Sequence, residues 1–130
     1  KLAGEISNSA GNGLCTYTTR EELAEAYSNL LLDNELNGGT YNLGAEPKSQ
    51  SELAAALNTA FGLNLIYRPV EVDEYLQGRK QGLGDFIGTV ISGIYEGIRN
   101  GGMNVKSDFE KVVKRPHKTL EEMVSEFKIL

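Results

Sequence analysis

Apolar positions along the chain come in short bursts with two different periods. Behind Thr18 and Thr19, the residues Leu23, Ala26, Tyr27, Leu30 and Leu31 recur at the spacing of one helical face. Either threonine can accept a backbone N–H, and Glu21 or Glu22 three residues on completes a capping box. Asn37, Gly38 and Gly39 stop this helix because they tolerate the left-handed conformations of a helix end. Thr40 to Leu43 then predicts a strand, β-branched and aromatic, closed by Gly44.

The flanking segments follow the same logic. Lys1 to Asn12 is polar and glycine-rich, with Leu2, Ala3 and Ile6 to bury, and predicts a short strand and a loop. Pro47 marks a turn, after which Ser49 or Ser51 caps a helix with Leu53, Ala56, Leu57 and Ala60 as its stripe and Gly62 as its stop. Leu63 to Val70 alternates and predicts a strand, with Pro69 confined to an edge or exit position. Glu71 to Gln81 predicts a short polar helix with Val72, Tyr75 and Leu76 inward.

Asp85 to Asn100 carries the widest apolar face, Phe86, Val90 and Ile94 with Ile87, Ile91 and Ile98 beside them. Gly88, Gly93 and Gly97 lie within that helix, each costing up to ~1 kcal/mol against alanine. Such glycines are expected where another backbone approaches closely or a bound molecule needs room. Ser107 is expected to cap a short helix with Phe109, Val112 and Val113 inward, which Pro116 breaks; Thr119 caps a last one. Two or three short strands alternating with helices, then a run of helices, give an α/β fold, expected to be a single domain over residues 1–130.

Composition narrows the function classes. The net charge of −5 argues against a general nucleic-acid binder, which presents a basic face. No stretch approaches the length of a membrane span. A single cysteine, Cys15, excludes an internal disulfide and, with no secretory pattern, points to a cytoplasmic, bacterial setting. The chain opens at Lys1 and not at methionine, so a fragment or processed product is expected.

The inventory for self-contained chemistry is thin. One histidine and one cysteine lie far apart, which does not suit a metal site, and none is expected. His117, between Pro116 and Lys118, suits a solvated or capping role, and Cys15 a buried inert thiol. Neither the Gly11–Gly13 stretch nor the Gly82–Gly84 stretch has the strand, the third glycine and the helix of a dinucleotide fingerprint. Tyr17, Tyr41, Tyr67, Tyr75 and Tyr95 could present hydroxyls at a cavity edge, and Arg68 could meet an anion.

The order of motifs is nonetheless specific. The runs YTTREELAEAYSNLL, GGTYNLG and SQSELAAAL, followed by SDFEKVVKRPHKTLEEMV, resemble the C-terminal part of atypical short-chain dehydrogenase/reductases of the NmrA-like group. ISNSAGNGLCTYTTREELA resembles the segment that precedes the first of these helices there. That group contains quinone and triphenylmethane reductases and redox-sensing regulators. The resemblance implies the C-terminal part of a Rossmann-type NAD(P)-binding protein, without its N-terminal nucleotide-binding half. It implies NAD(P) in the intact parent and none bound to this chain, which alone should be inactive.

By the same resemblance, Ala10, Gly11, Gly13 and Tyr17 would face a small-molecule substrate cleft that the Asp85–Asn100 helix, with Phe86 and Val90, would close. No catalytic residue carries over. Three functions follow as expectations: the substrate side of a reductase acting on a quinone-like or aromatic acceptor, a nucleotide-sensing regulator that binds a protein partner, and a stand-alone binding or dimerisation module. Cut from a larger sheet, the Thr40–Leu43 edge is expected to drive self-association.

Overall fold

The computed structural model describes residues 3–127, so Lys1, Leu2 and the last three positions, with the expected burial of Leu2, lie outside the description. β1 (Ala3–Asn8) and β2 (Asn64–Pro69) pair in parallel, in register from Ala3 opposite Asn64 to Asn8 opposite Pro69. Between them run α1 (Arg20–Leu32), a 3₁₀ turn (Asn34–Leu36) and α2 (Gln50–Phe61); after them come α3 (Val72–Leu83), α4 (Asp85–Arg99), α5 (Phe109–Val113) and α6 (Leu120–Glu126). A parallel pair joined through helices, with a helical C-terminal half, is the expected α/β arrangement.

The caps explain where the helices sit. Thr19 accepts from the Glu22 N–H to start α1, and Ser49 and Thr119 each form a full capping box, with Glu52 and Glu122. Gly62 ends α2 in the left-handed conformation, φ 62°. Two clusters make the core. Ala26, Leu36, Phe109, Val112 and Val113 join α1 to α5, with Leu30, Tyr41 and Leu43 against them. Ala45, Ala56, Leu120, Met123 and Val124 join α2 to α6, with Tyr17, Leu53, Leu57 and Phe61 alongside.

Several expectations change. Thr40 to Leu43 is not a strand: Asn42 exchanges backbone and side-chain hydrogen bonds with Asp108, and the Tyr41 hydroxyl donates to the Leu36 carbonyl. With those groups satisfied at the start of α5, the segment has no ladder and offers no strand edge for self-association. Glu22 does not close a capping box, because its carboxylate turns instead to Arg115. α1 stops at Leu32, where Asp33 caps the 3₁₀ turn, and leaves Tyr27 and Leu31 exposed. α5 is shorter than expected, and Ser107 spans from the Gly44 carbonyl to the Phe109 N–H one residue ahead of the helix cap, Asp108.

The largest departure is α4. Its buried side is Gly88, Ser92 and Ile98, whereas Phe86, Ile87, Val90 and Ile94 are exposed. The reason is the close antiparallel packing of α4 on α3: a Cβ at Gly88 would lie 2.5 Å from the Lys80 nitrogen, so the glycine side sets the approach. Tyr95 meets Tyr75 edge-on at 5.4 Å on the same side. The α3–α4 hairpin packs chiefly on itself and presents its most apolar side outward.

Candidate functional site

In open α/β folds, ligands bind beyond the carboxyl ends of parallel strands, where backbone ends and loops converge. Here that place is the end of β1, Asn8 to Gly13, beside the end of β2. Asn8, Ser9 and Ala10 are all buried. The Asn8 carboxamide organises the turn: its Oδ1 accepts from the Ala10 N–H at 3.0 Å and from the Tyr67 hydroxyl at 3.1 Å, and its Nδ2 donates to Gln50 Oε1 at 3.0 Å. Gln50 Nε2 in turn donates to the Tyr17 hydroxyl at 2.7 Å. A continuous relay therefore runs from Tyr67 on β2 through Asn8 and Gln50 to Tyr17. Each buried amide is satisfied, which fixes both tyrosines in place.

The relay leaves the Tyr17 oxygen free to donate its own proton. Burial, with nearby Cys15 adding to it and the Gln50 bond opposing it, pushes its pKa up to about 12. At neutral pH it is a hydrogen-bond donor and not a base. Burial likewise raises Tyr67, partly offset by the Gly11 backbone and Arg99.

Gly11 and Gly13 serve the packing of this turn against α4. Gly13 donates to the Ala10 carbonyl at 2.9 Å, and any Cβ on it would collide with the Ile98 carbonyl. Gly11, at φ +58°, lies under Arg99, whose guanidinium donates to the Ser9 carbonyl at 3.3 Å and approaches Glu71 at 3.9 Å. The structure thus brings Ala10, Gly11, Gly13 and Tyr17 to one end of the sheet. Phe86 and Val90 lie on the same hairpin but further out; Phe86 stands about 20 Å from Arg99 along the axis of α4.

Sequence reading missed Asn8 and Gln50. Gln50 is the first residue of α2 inside a run of polar residues, a place where a solvated side chain is the ordinary expectation, and only the packing of α2 on β2, which brings it to Asn8, buries it. The remaining candidates have structural roles. His117 bonds the Thr18 hydroxyl at 2.9 Å and the Lys118 carbonyl at 2.7 Å, with its ring edge-on to Phe109. Cys15 is half-buried, its thiol raised by burial and its sulfur 3.9 Å from that of Met103, so it is a poor nucleophile. Arg68 pairs with Glu5 on the neighbouring strand. Among the described residues there is no His, Cys, Asp and Glu grouping that could hold a metal ion. No described helix is long and apolar enough to cross a membrane.

The residues present do not form a dinucleotide cradle. The glycine turn after β1 leads to Cys15, which bridges to Lys48, and not to a helix N-terminus. The first turns of α1, α2 and α6 are closed by their own Thr19, Ser49 and Thr119 side chains.

No family model and no curated protein matches the chain. Solved structures do. Triphenylmethane reductase from Citrobacter sp., complexed with NADP(H), is 28% identical at a TM-score of 0.83, over 95% of this chain and 44% of its own. The NADPH-dependent quinone oxidoreductase from Escherichia coli, complexed with NADPH, is 25% identical at 0.85, over 94% and 44%. A nucleoside-diphosphate-sugar epimerase from Staphylococcus aureus is 23% identical at 0.83, over 93% and 43%, and shares the fold. This chain spans less than half the length of each. Motif order and three-dimensional likeness agree: the chain has the fold of the C-terminal portion of the NmrA-like atypical short-chain dehydrogenase/reductases.

Proposed function

We propose that this chain is the substrate-side part of an NAD(P)H-dependent reductase and that it shapes the pocket for a quinone-like or otherwise aromatic acceptor. The observation that carries this reading is the α3–α4 hairpin. It is anchored at the carboxyl ends of the strands through Gly13, Ile98 and Arg99, and it holds Phe86, Ile87, Val90 and Ile94 uncovered. Such a row of apolar side chains, leading outward along α4 from the ligand-binding end of the sheet, suits a flat, apolar substrate. The Tyr17 phenol, held protonated by burial and oriented by Gln50, suits donation to a carbonyl oxygen.

Two further features support a larger whole. Parallel sheets are normally covered on both faces, yet Ile66 of β2 is 61% exposed. The structural relatives are more than twice as long. Hydride would come from a nicotinamide held by a segment outside this chain, in the cytoplasm, and this chain alone would be inactive.

The test is turnover of quinones and triphenylmethane dyes by a full-length parent supplied with NADPH or NADH, compared with this chain alone. Reduction by the parent, lost in V90D or F86A with nucleotide binding retained, supports the reading. A parent that binds the nucleotide and reduces none of these acceptors overturns it in favour of a nucleotide-sensing regulator. Catalysis by the 130-residue chain overturns the division of labour.

A further inference from the structure

A chain of hydrogen bonds has a direction, and at the strand ends one backbone group sets it. The Ala10 N–H can only donate, and it meets Asn8 Oδ1 at 3.0 Å. The Tyr67 hydroxyl donates to the same oxygen at 3.1 Å, so the Asn8 oxygen is held toward the turn. Its Nδ2 is thereby turned to α2, where it donates to Gln50 Oε1 at 3.0 Å. Gln50 must then present Nε2 to the Tyr17 oxygen, 2.7 Å away. Reversing either amide would set donor against donor inside the fold, where Asn8 is 2% and Gln50 3% exposed. An amide can equally present its oxygen, so nothing in Gln50 itself stops it from accepting the Tyr17 proton. Position 8 makes that choice.

We infer that Asn8 is a positioning residue for Tyr17: through Gln50 it makes the phenol an acceptor toward the protein and a donor toward the ligand. The ligand class that fits has an oxygen lone pair at its reacting group. A quinone carbonyl has one, whereas the reacting carbon of a triphenylmethane cation bears no oxygen. This deepens the pocket proposed above and rests on that reading. When the carbonyl gains a hydride and negative charge builds on its oxygen, the Tyr17 proton transfers to that oxygen. The Gln50 Nε2–H is already in place to stabilise the phenolate left behind. Burial keeps the phenol protonated, and the direction of the relay keeps that proton from being donated inside the fold.

Infrared spectroscopy of this chain with ring-labelled tyrosine tests the direction, the Tyr17 C–O band being taken by difference from Y17F. A phenol that only donates absorbs at higher frequency than one that also accepts. At mildly alkaline pH, N8D offers Gln50 nothing but lone pairs. Gln50 should then turn its Nε2 to position 8 and its oxygen to Tyr17, and the band should rise. Q50E should raise the band without altering the turn, since its carboxylate only accepts. Far-UV circular dichroism checks that each variant is folded. A band that stays at its wild-type position in either folded variant overturns the inference. In a full-length parent, either variant should lower quinone reduction by roughly a hundredfold, the scale of a lost general acid, and dye reduction by less. Undiminished quinone reduction with a shifted band overturns this inference alone. A parent that reduces neither acceptor overturns the reading of the pocket itself.

Discussion

Arg115 donates to the Glu22 carboxylate at 3.0 Å across 93 residues of sequence and grips Glu25 with its other terminal nitrogen. Glu22 is only 1% exposed, and Lys118 stands 3.9 Å from its second oxygen before reaching on to Glu126. The pair of carboxylates raises the guanidinium further above its ordinary range. This network ties the first turn of α1 to the link between α5 and α6, where Arg115 also lies over the Phe109 ring.

Removing Arg115 strands a buried carboxylate with only the distant Lys118 to answer it. R115M is expected to destabilise the chain by about 3 kcal/mol, the scale for breaking one side of a buried ion pair. The double variant R115M/E22L should recover most of that loss, because no charge is then left buried. Urea denaturation of the two variants checks both statements.

Gln50 has a comparable position in the relay at the strand ends. Q50L leaves the Asn8 amide and the Tyr17 hydroxyl without their partner and is expected to destabilise by about 2 kcal/mol. It should also move the Tyr17 phenol, seen as a change in the alkaline absorbance titration. Burial pushes this phenol up to about 12, so in the native chain it is expected to titrate later than a free tyrosine. The corresponding stabilisation is complete below the unfolded tyrosine pKa and is lost as pH rises through the folded one.

The glycines of α4 separate by position. A methyl group at Gly88 would press into the Lys80 backbone at 2.5 Å, so G88A is expected to cost about 1–3 kcal/mol by overpacking. A Cβ at Gly97 would meet nothing within 4 Å, so G97A should raise helix stability by up to ~1 kcal/mol. Thermal melts under conditions where both variants are monomeric decide whether the two signs differ.

Acid should weaken the helix starts first. The Ser49 backbone N–H donates to Glu52 at 2.8 Å and that of Thr119 to Glu122 at 2.7 Å; these bonds hold both carboxyls below the usual range. A depressed carboxyl contributes stability above its unfolded pKa of about 4.3 and loses it as pH falls through the lower folded value. E52Q and E122Q should therefore melt slightly lower than wild type at neutral pH. That difference should shrink as pH drops from about 5 towards 3.

The legible part of this fold is local. Ser49 and Thr119 followed three residues later by glutamate, Gly62 after an apolar stripe, and the alternation through Leu65 and Tyr67 each act within a few residues of backbone, so helix starts, stops and β2 could be read directly. The motif order added the family fold. Thr40–Leu43 misled because strand-forming residues become a strand only when another strand offers its backbone, and here Asp108 meets Asn42 first.

The sequence by itself determined the helix periods, their caps, the single inert thiol and the lack of a dinucleotide fingerprint. Tertiary structure alone decided which side of each helix is covered. Periodicity marks an apolar face but not its partner, and α4 turned its glycine side to α3 because helix backbones approach most closely where no Cβ intervenes. The same holds for Glu22, Asn8 and Gln50: a polar side chain is buried when the fold delivers its partners from distant segments, and no local pattern announces that.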